Sequence, residues 1–250
     1  MTLGIIILAG GRGSRLKEIL KETPKIMAPV AGKPFLEWLL LWIDSWQINT
    51  PKKVLLSTCI GHKFIKDYCE KEKIDVECIS ENRPLGTFGA IANVATSTSY
   101  ENYLIINGDT IFKANIANIY NRFLSTIKRE PLILLKRNND NRRFGGYKNV
   151  KNGWLFSEGL TNFISLGSFF ISYSDIKKRW TKTTSIPFDN SEINQIKKEI
   201  MIDKDCFGEE PIMAEILDLN TPFIDIGIPS SLHAAQDFIP EIIKGFKINK

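Results

Sequence analysis

The chain has 250 residues, 43% hydrophobic and 24% charged, a composition ordinary for a globular protein and a length that buries a core without staples. Its net charge of +5 is mild, and its densest basic run is only Lys136-Arg137 with Arg142-Arg143, which argues against a nucleic-acid partner. Cys59, Cys69, Cys78 and Cys206 form no Cys-x-x-Cys pair, and only His62 and His233 could join them, so a zinc site is not indicated. No basic n-region precedes the short apolar run Ile5–Ala9, and no stretch approaches the roughly 18 apolar residues of a membrane span. A cytoplasmic protein with reduced thiols and no membrane partner is the expectation.

Gly4–Leu8 is a short, unalternating β-branched run, the pattern of a strand buried on both faces. A glycine-rich loop, Gly10 to Ser14, follows at once. The spacing of Phe35, Leu36, Leu39, Leu40, Ile43 and Trp46 predicts a helix with one broad apolar face. Further along, strands are predicted at Val54–Thr58, Val76–Ile79 and Tyr103–Ile106, and helices at Lys63–Glu70, Thr87–Ala95 and Ile116–Ile127. This alternation predicts an α/β fold with a mostly parallel sheet. Ligands of such sheets sit beyond the carboxyl ends of the strands. Gly10–Ser14, Glu81–Thr87 and Asn107–Asp109 each directly follow a predicted strand, so all three fall on one rim.

The second half is less regular. Strands are predicted at Leu132–Leu135, Trp154–Phe156, Phe163–Ile171 and Pro222–Ile226, and helices at Ser191–Met201 and Ser230–Phe238. Asn138–Arg143 reads as a solvated polar loop. No linker or repeat divides the chain. One domain over 1–250 is expected, with residues 1–130 as a first half and 131–250 as a second half that extends the same sheet.

The densest chemical signal is Leu8-Ala9-Gly10-Gly11-Arg12-Gly13-Ser14-Arg15-Leu16, with Pro24-Lys25 downstream. Glycines at this density let the backbone approach a ligand and aim N–H groups at an anion. The loop is not a P-loop, because Gly-Lys-[Ser/Thr] is missing, and it lacks the third glycine of the dinucleotide fingerprint. Alone, it reads equally as a tight strand-to-helix turn. Arg15, a bidentate phosphate grip, and Lys25, a point charge set by Pro24, shift the reading to a triphosphate site.

These residues resemble the signature of the sugar-1-phosphate nucleotidyltransferases, Gly-Gly-x-Gly-x-Arg-Leu followed by Pro-Lys. Met27 to Glu37 resembles one subgroup, the D-glycero-D-manno-heptose 1-phosphate guanylyltransferases, with mannose-1-phosphate guanylyltransferases nearby. Glu81-Asn82-Arg83-Pro84-Leu85-Gly86-Thr87 with Gly89-Ala90 is similar to the family's base-reading segment, except that Phe88 stands where a glycine is usual. Asn107-Gly108-Asp109 and Asp225-Ile226-Gly227-Ile228-Pro229 resemble the two motifs whose aspartates bind Mg²⁺.

The resemblance implies a glycosyltransferase-A-like, Rossmann-like fold: a mostly parallel, mixed sheet flanked by helices. It implies nucleotide contacts from Leu8, Ala9, Gly10, Gly11, Arg12, Gly13, Ser14, Arg15, Lys25, Glu81, Gly86 and Thr87. Arg15, Lys25 and Asp109 are the implied catalytic residues, and Asp109 and Asp225 the Mg²⁺ ligands. Asn107, Gly146, Glu158, Gly167 and Glu192 are the implied sugar-phosphate contacts. The implied reaction joins a nucleoside triphosphate, GTP in the nearest subgroup, to a sugar 1-phosphate for surface-polysaccharide synthesis, and a homodimer is the family expectation. Three features depart from the pattern or have a plain alternative. Phe156-Ser157-Glu158-Gly159 lacks the lysine that follows the family glutamate, with Arg143 and Lys148 as nearby substitutes. Ser165-Leu166-Gly167 replaces Asn-x-Gly. Glu192 reads equally as a helix-start glutamate. The alternatives are a mannose- or glucose-1-phosphate nucleotidyltransferase, a cytidylyltransferase for a small phosphorylated alcohol, a non-catalytic sugar-nucleotide-binding relative, and a Rossmann-type oxidoreductase, which the missing third glycine opposes.

Overall fold

Leu3, Ile5 and Ile7 on one face and Ile6 on the other are all fully buried. The first strand therefore needs cover on both sides. In the computed structural model, residues 2–98, 100–126, 129–138, 146–159, 161–207 and 210–245 are described. The first half runs β1 (Leu3–Leu8), α1 (Lys17–Leu20), β2 (Pro29–Val30), β3 (Lys33–Pro34), α2 (Phe35–Asp44), β4 (Lys52–Thr58), α3 (His62–Lys71), β5 (Glu77–Ser80), α4 (Gly86–Thr98), β6 (Asn102–Asn107), β7 (Thr110–Phe112) and α5 (Ile116–Ser125). The second half runs β8 (Leu132–Arg137), β9 (Gly146–Val150), β10 (Gly153–Ser157), β11 (Phe163–Ser172), α6 (Tyr173–Thr183), α7 (Asn190–Ile193), β12 (Met213–Leu217), β13 (Phe223–Asp225) and α8 (Pro229–Lys244).

The central sheet is mixed. β6, β1, β4 and β5 are parallel neighbours in that order. The long strand β11 runs antiparallel to β6, β8 and β9, and β12 adds to β8 in parallel. Strands from both halves of the chain thus share one hydrogen-bonded sheet. Two cores flank it. Leu3, Ile5 and Ile7 pack with apolar residues of α2, α5 and α8. Ile6, Leu55 and Ile105 pack with those of α4 and α6. Burial of this kind stabilises by about 25 cal/mol per Å² of apolar surface, which favours a sheet covered on both faces over isolated elements.

Several expectations for the second half are corrected. The helix expected at Ser191–Met201 is only Asn190–Ile193, begun by Asp189, whose side chain accepts from the Ser191 amide at 2.9 Å. It stops because Ile200 is captured instead: its N–H donates to the Leu85 carbonyl at 2.8 Å and its carbonyl accepts from the Phe88 amide at 2.8 Å. Residues Ile202–Cys206 then form a single π turn. The helix Tyr173–Thr183 was not expected, although its signals are local. Ser172 caps it by accepting from the Asp175 amide at 3.1 Å, and Ile176 and Trp180 bury one face. Strands β7, β9 and β12 were also not anticipated. The loop Asn138–Arg143 lies outside the described residues apart from Asn138. Half of the basic run beside it is structural: Lys136 is buried with its ammonium on the Leu219 carbonyl, and the Arg137 guanidinium lies over the Phe163 ring.

No helix among the described residues is long and apolar enough to cross a membrane. The four cysteines are free thiols.

Candidate functional site

β1 ends at Leu8, and the chain turns away from the sheet into the glycine loop. Gly10 stands in a tight place: a Cβ there would lie 3.0 Å from Glu81 Oε1 and 3.2 Å from the Cys59 Cβ. Gly13 is left-handed (φ 57°, ψ 24°) and starts the tight turn Ser14–Leu16. The amides of Gly10, Gly11, Arg12 and Gly13 have no acceptor among the described residues, so they are available to an anion. Arg15 is exposed on the same loop and has no ion-pair partner among the described residues.

The strand that ends beside β1 supplies the opposite lip. Gly108 passes so close to β1 that its N–H donates to the Leu8 carbonyl at 3.0 Å, and an added Cβ would meet that oxygen at 2.6 Å. This close approach carries Asn107 and Asp109 to the loop. Lys25 reaches them from the third side. Pro24 packs on the loop after β4, where a Cβ on Gly61 would meet the Pro24 ring at 2.3 Å, and this contact sets where Lys25 begins. The Lys25 ammonium forms an ion pair with the Asp109 carboxylate, each side chain 22% exposed. Thr110 Oγ1 donates to the other Asp109 oxygen at 2.9 Å.

Asp225 lies one ladder step from this pair. It stands opposite Thr110 in the β7–β13 ribbon, and the next amide, that of Ile226, donates to the Asp109 carbonyl at 2.9 Å. The Asp225 carboxylate accepts from the Gly227 amide at 2.7 Å. Among the described residues, no group of three or more His, Cys, Asp and Glu could hold a metal. Two carboxylates are nonetheless enough for Mg²⁺, which takes few protein oxygens and completes its shell from phosphate and water.

These elements enclose a cleft of about 560 Å³ beyond the carboxyl ends of β1, β5 and β6. Its lining includes every expected nucleotide contact: Leu8, Ala9, Gly10, Gly11, Arg12, Gly13, Ser14, Arg15, Lys25, Glu81, Gly86 and Thr87. Asn107 and Asp109 line it as well. Glu81 is buried, accepting from Ser57 Oγ at 3.0 Å through one oxygen and from the Leu85 amide at 3.0 Å through the other. Burial pushes its carboxyl above the usual value. One oxygen thus ties Glu81 to β4 and the other shapes the turn that begins at Pro84. Phe88 does not obstruct the cleft: it points to the far side of α4, fully buried against Trp180 with ring centroids 5.7 Å apart.

The expected sugar-phosphate contacts divide. Gly167 sits in the β11 bulge at φ 64°, and a Cβ there would meet Asn107 Nδ2 at 2.1 Å, so Gly167 acts by making room for Asn107. Gly146, Glu158, Gly167 and Glu192 do not line the cleft. Glu158 is 70% exposed and pairs with Lys204 at 2.9 Å. Glu192 is exposed on α7, a short helix packed on α4 through Asn190 and Asn194. Of the two cations considered in place of the missing lysine, Lys148 is exposed on β9 outside the cleft, and Arg143 lies outside the described residues.

Two lining residues have no signal in the sequence. Glu199 and Met201 flank Ile200, and Ile200 is bonded to both sides of the Gly86 turn, so both side chains reach the cleft from the second half of the chain. Glu199 Oε1 accepts from Arg12 at 3.2 Å.

The chain is 30% identical over 92% of its length to D-glycero-α-D-manno-heptose 1-phosphate guanylyltransferase of Aneurinibacillus thermoaerophilus, covering 96% of that protein. It is 29% identical over 91% of its length to the enzyme of the same name from Campylobacter jejuni, again covering 96%. The crystal structure of HddC from Yersinia pseudotuberculosis superposes with a TM-score of 0.71 at 25% identity, over 94% of this chain and 98% of that one. The family profile described as Nucleotidyl transferase matches residues 5–155, and the chain belongs to that family.

Proposed function

We propose that this chain transfers GMP from GTP to a sugar 1-phosphate, D-glycero-D-manno-heptose 1-phosphate by its relatives, giving a GDP-sugar and pyrophosphate. The observation that carries the reading is the convergence of Arg12, Arg15, Lys25 and unpaired loop amides on one cleft that also holds Asp109. Its base and sugar rest on the two guanylyltransferase relatives matched over nearly their whole length.

The chemistry needs no protein base. The second pKa of a phosphate monoester is about 6, so the sugar phosphate is already largely dianionic at neutral pH. One of its oxygens bonds to the α-phosphorus of GTP as the bond from that phosphorus to the bridging oxygen breaks, and the electron pair leaves with pyrophosphate. Neither histidine serves this step: His62 is bonded through Nδ1 to Thr58 Oγ1 at 2.7 Å, and His233 is exposed on α8, away from the cleft lining. The task is to hold two polyanions in line. Loop amides and Arg15 bind the triphosphate, and Lys25, steered by Asp109, neutralises charge that builds on the phosphates. Asp109 and Asp225 would hold Mg²⁺, which supplies charge neutralisation on the phosphates when bound.

Pyrophosphate release with Mg²⁺ tests the reading, using GTP, CTP, UTP, ATP and dTTP against a panel of sugar 1-phosphates that includes the heptose. Turnover confined to GTP with the heptose phosphate is expected. Turnover with another pair moves the substrate, and nucleotide binding without turnover across the panel removes the catalytic reading.

A further inference from the structure

We infer that Glu199 reads the Watson–Crick edge of guanine and so sets the base preference of the cleft; the inference rests on the guanylyl reading above. Guanine presents two adjacent donors there, N1–H and the N2 amino group. A single carboxylate can accept from both, an arrangement no other base of the common triphosphates matches.

Among the described residues, three carboxylates line the cleft: Glu81, Asp109 and Glu199. Glu81 is 8% exposed and has each oxygen bonded inside the protein. Asp109 is paired with Lys25 at the phosphate end. Glu199 is different. Its side chain is 47% exposed, and its one partner among the described residues is Arg12 on the glycine loop, at 3.2 Å. Three nearby main-chain carbonyls are engaged within the protein. The Leu85 carbonyl accepts from Ile200, the Ile200 carbonyl from Phe88, and the Met201 carbonyl from Asp205.

The Glu199 backbone is held for such a task. Ile200 is bonded on both sides of the Gly86 turn, and the Ile202 amide donates to Thr87 Oγ1 at 2.8 Å. One turn further, Tyr147 donates to the buried Asp203 and ties the π turn to β9. Gly86 completes the fit: at φ +77° a Cβ would lie 2.6 Å from Ile200 N and O. A carboxylate on a rigid segment, beside the turn that follows Glu81, is a preorganised acceptor. Arg12 uses one lone pair of Glu199 Oε1, leaving the remaining lone pairs for the base.

The test is calorimetric binding of GTP, ITP, ATP, CTP and UTP to the full chain in Mg²⁺ buffer, with no sugar phosphate, so that the sugar's identity plays no part. ITP keeps N1–H and lacks the N2 amino group. Glu199→Ala is expected to weaken GTP about 10- to 100-fold, the loss expected for hydrogen bonds to a charged group, and to bring the GTP:ITP ratio towards one. Glu199→Gln places an acceptor and a donor side by side, which matches the N6–H and N1 of adenine, and is expected to raise ATP relative to GTP. Arg12→Ala is expected to weaken all five nucleotides without collapsing the GTP:ITP ratio. A wild-type GTP:ITP ratio retained in Glu199→Ala overturns the inference even if overall affinity falls, because Glu199 would then act only through Arg12. An unchanged GTP:ATP ratio in Glu199→Gln counts against it in the same way. A wild-type chain that prefers CTP or UTP to GTP fails the guanylyl reading itself, and does so before any variant is measured.

Discussion

Gly86→Ala is the substitution in which local conformation, packing and the cleft meet. Gly86 sits at φ +77°, a left-handed backbone that costs a residue with a Cβ about 1–2 kcal/mol. The new methyl would lie 2.6 Å from both N and O of Ile200 and 2.9 Å from its carbonyl carbon, and these are backbone atoms that cannot rotate aside. The two segments must part, which stretches the bond from Ile200 N to the Leu85 carbonyl and that from Phe88 N to the Ile200 carbonyl, both 2.8 Å. At about 1 kcal/mol for each weakened bond, the total is about 3 kcal/mol. For a chain of this size that lowers Tm by about 6–12 °C. Gly11→Ala is the matched control. No atom lies within 4 Å of its Cβ position, and its φ is outside the left-handed region. Its stability change is expected within about 0.5 kcal/mol, like other exposed sites free of special constraints. Denaturant titration and calorimetric melting of both variants decide the point. If Gly86→Ala melts within the range of Gly11→Ala, Ile200 is not held as described, and the placement of Glu199 falls with it.

Two further predictions concern charge. Arg15→Ala and Lys25→Ala should each lower kcat at least about 100-fold, the scale seen when one preorganised transition-state contact is lost; Arg15→Ala should keep the wild-type Tm, because Arg15 is exposed and unpaired among the described residues. Steady-state pyrophosphate release checks this, and near-normal rates in either variant refute the assignment. Burial raises the Glu81 carboxyl above its ordinary 4.5, so the folded chain holds this proton more tightly than the unfolded chain does. The group therefore favours folding at low pH, and that contribution is withdrawn as pH rises from 4.5 through the raised folded value. Glu81→Gln should remove this decline, seen by chemical denaturation as a smaller loss of stability as pH rises above 4.5. An identical pH slope in the two proteins would show that Glu81 is not desolvated.

The residues that line the cleft on the glycine-loop side were legible because they lie close together in the chain. Glycines at 10, 11 and 13 mark a loop that needs backbone freedom, and Pro24 marks where Lys25 begins, so spacing alone located the lip that Arg15 and Lys25 share. The parallel core strands were legible for a similar reason: Leu3–Leu8 and Asn102–Asn107 are apolar on both faces, which only a covered sheet permits. Tyr173–Thr183 carried local signals as well, a serine cap and a buried Ile176–Trp180 face, and was passed over. Other features were decided only by tertiary structure. Residues 194–201 carry a pattern compatible with a longer helix, but the Leu85 and Phe88 backbone groups bond Ile200 more favourably than a continued turn would. The same capture brings Glu199 to Arg12, 187 positions away in sequence. Phe88 departs from the family pattern without consequence, because α4 turns it into the core behind the cleft. Glu158 and Glu192 bear the right charge, yet both are exposed and neither lines the cleft. A sequence states which groups exist and what their neighbours along the chain allow; which of them share a cavity depends on backbone pairings between distant segments, and those are set by the burial of the whole.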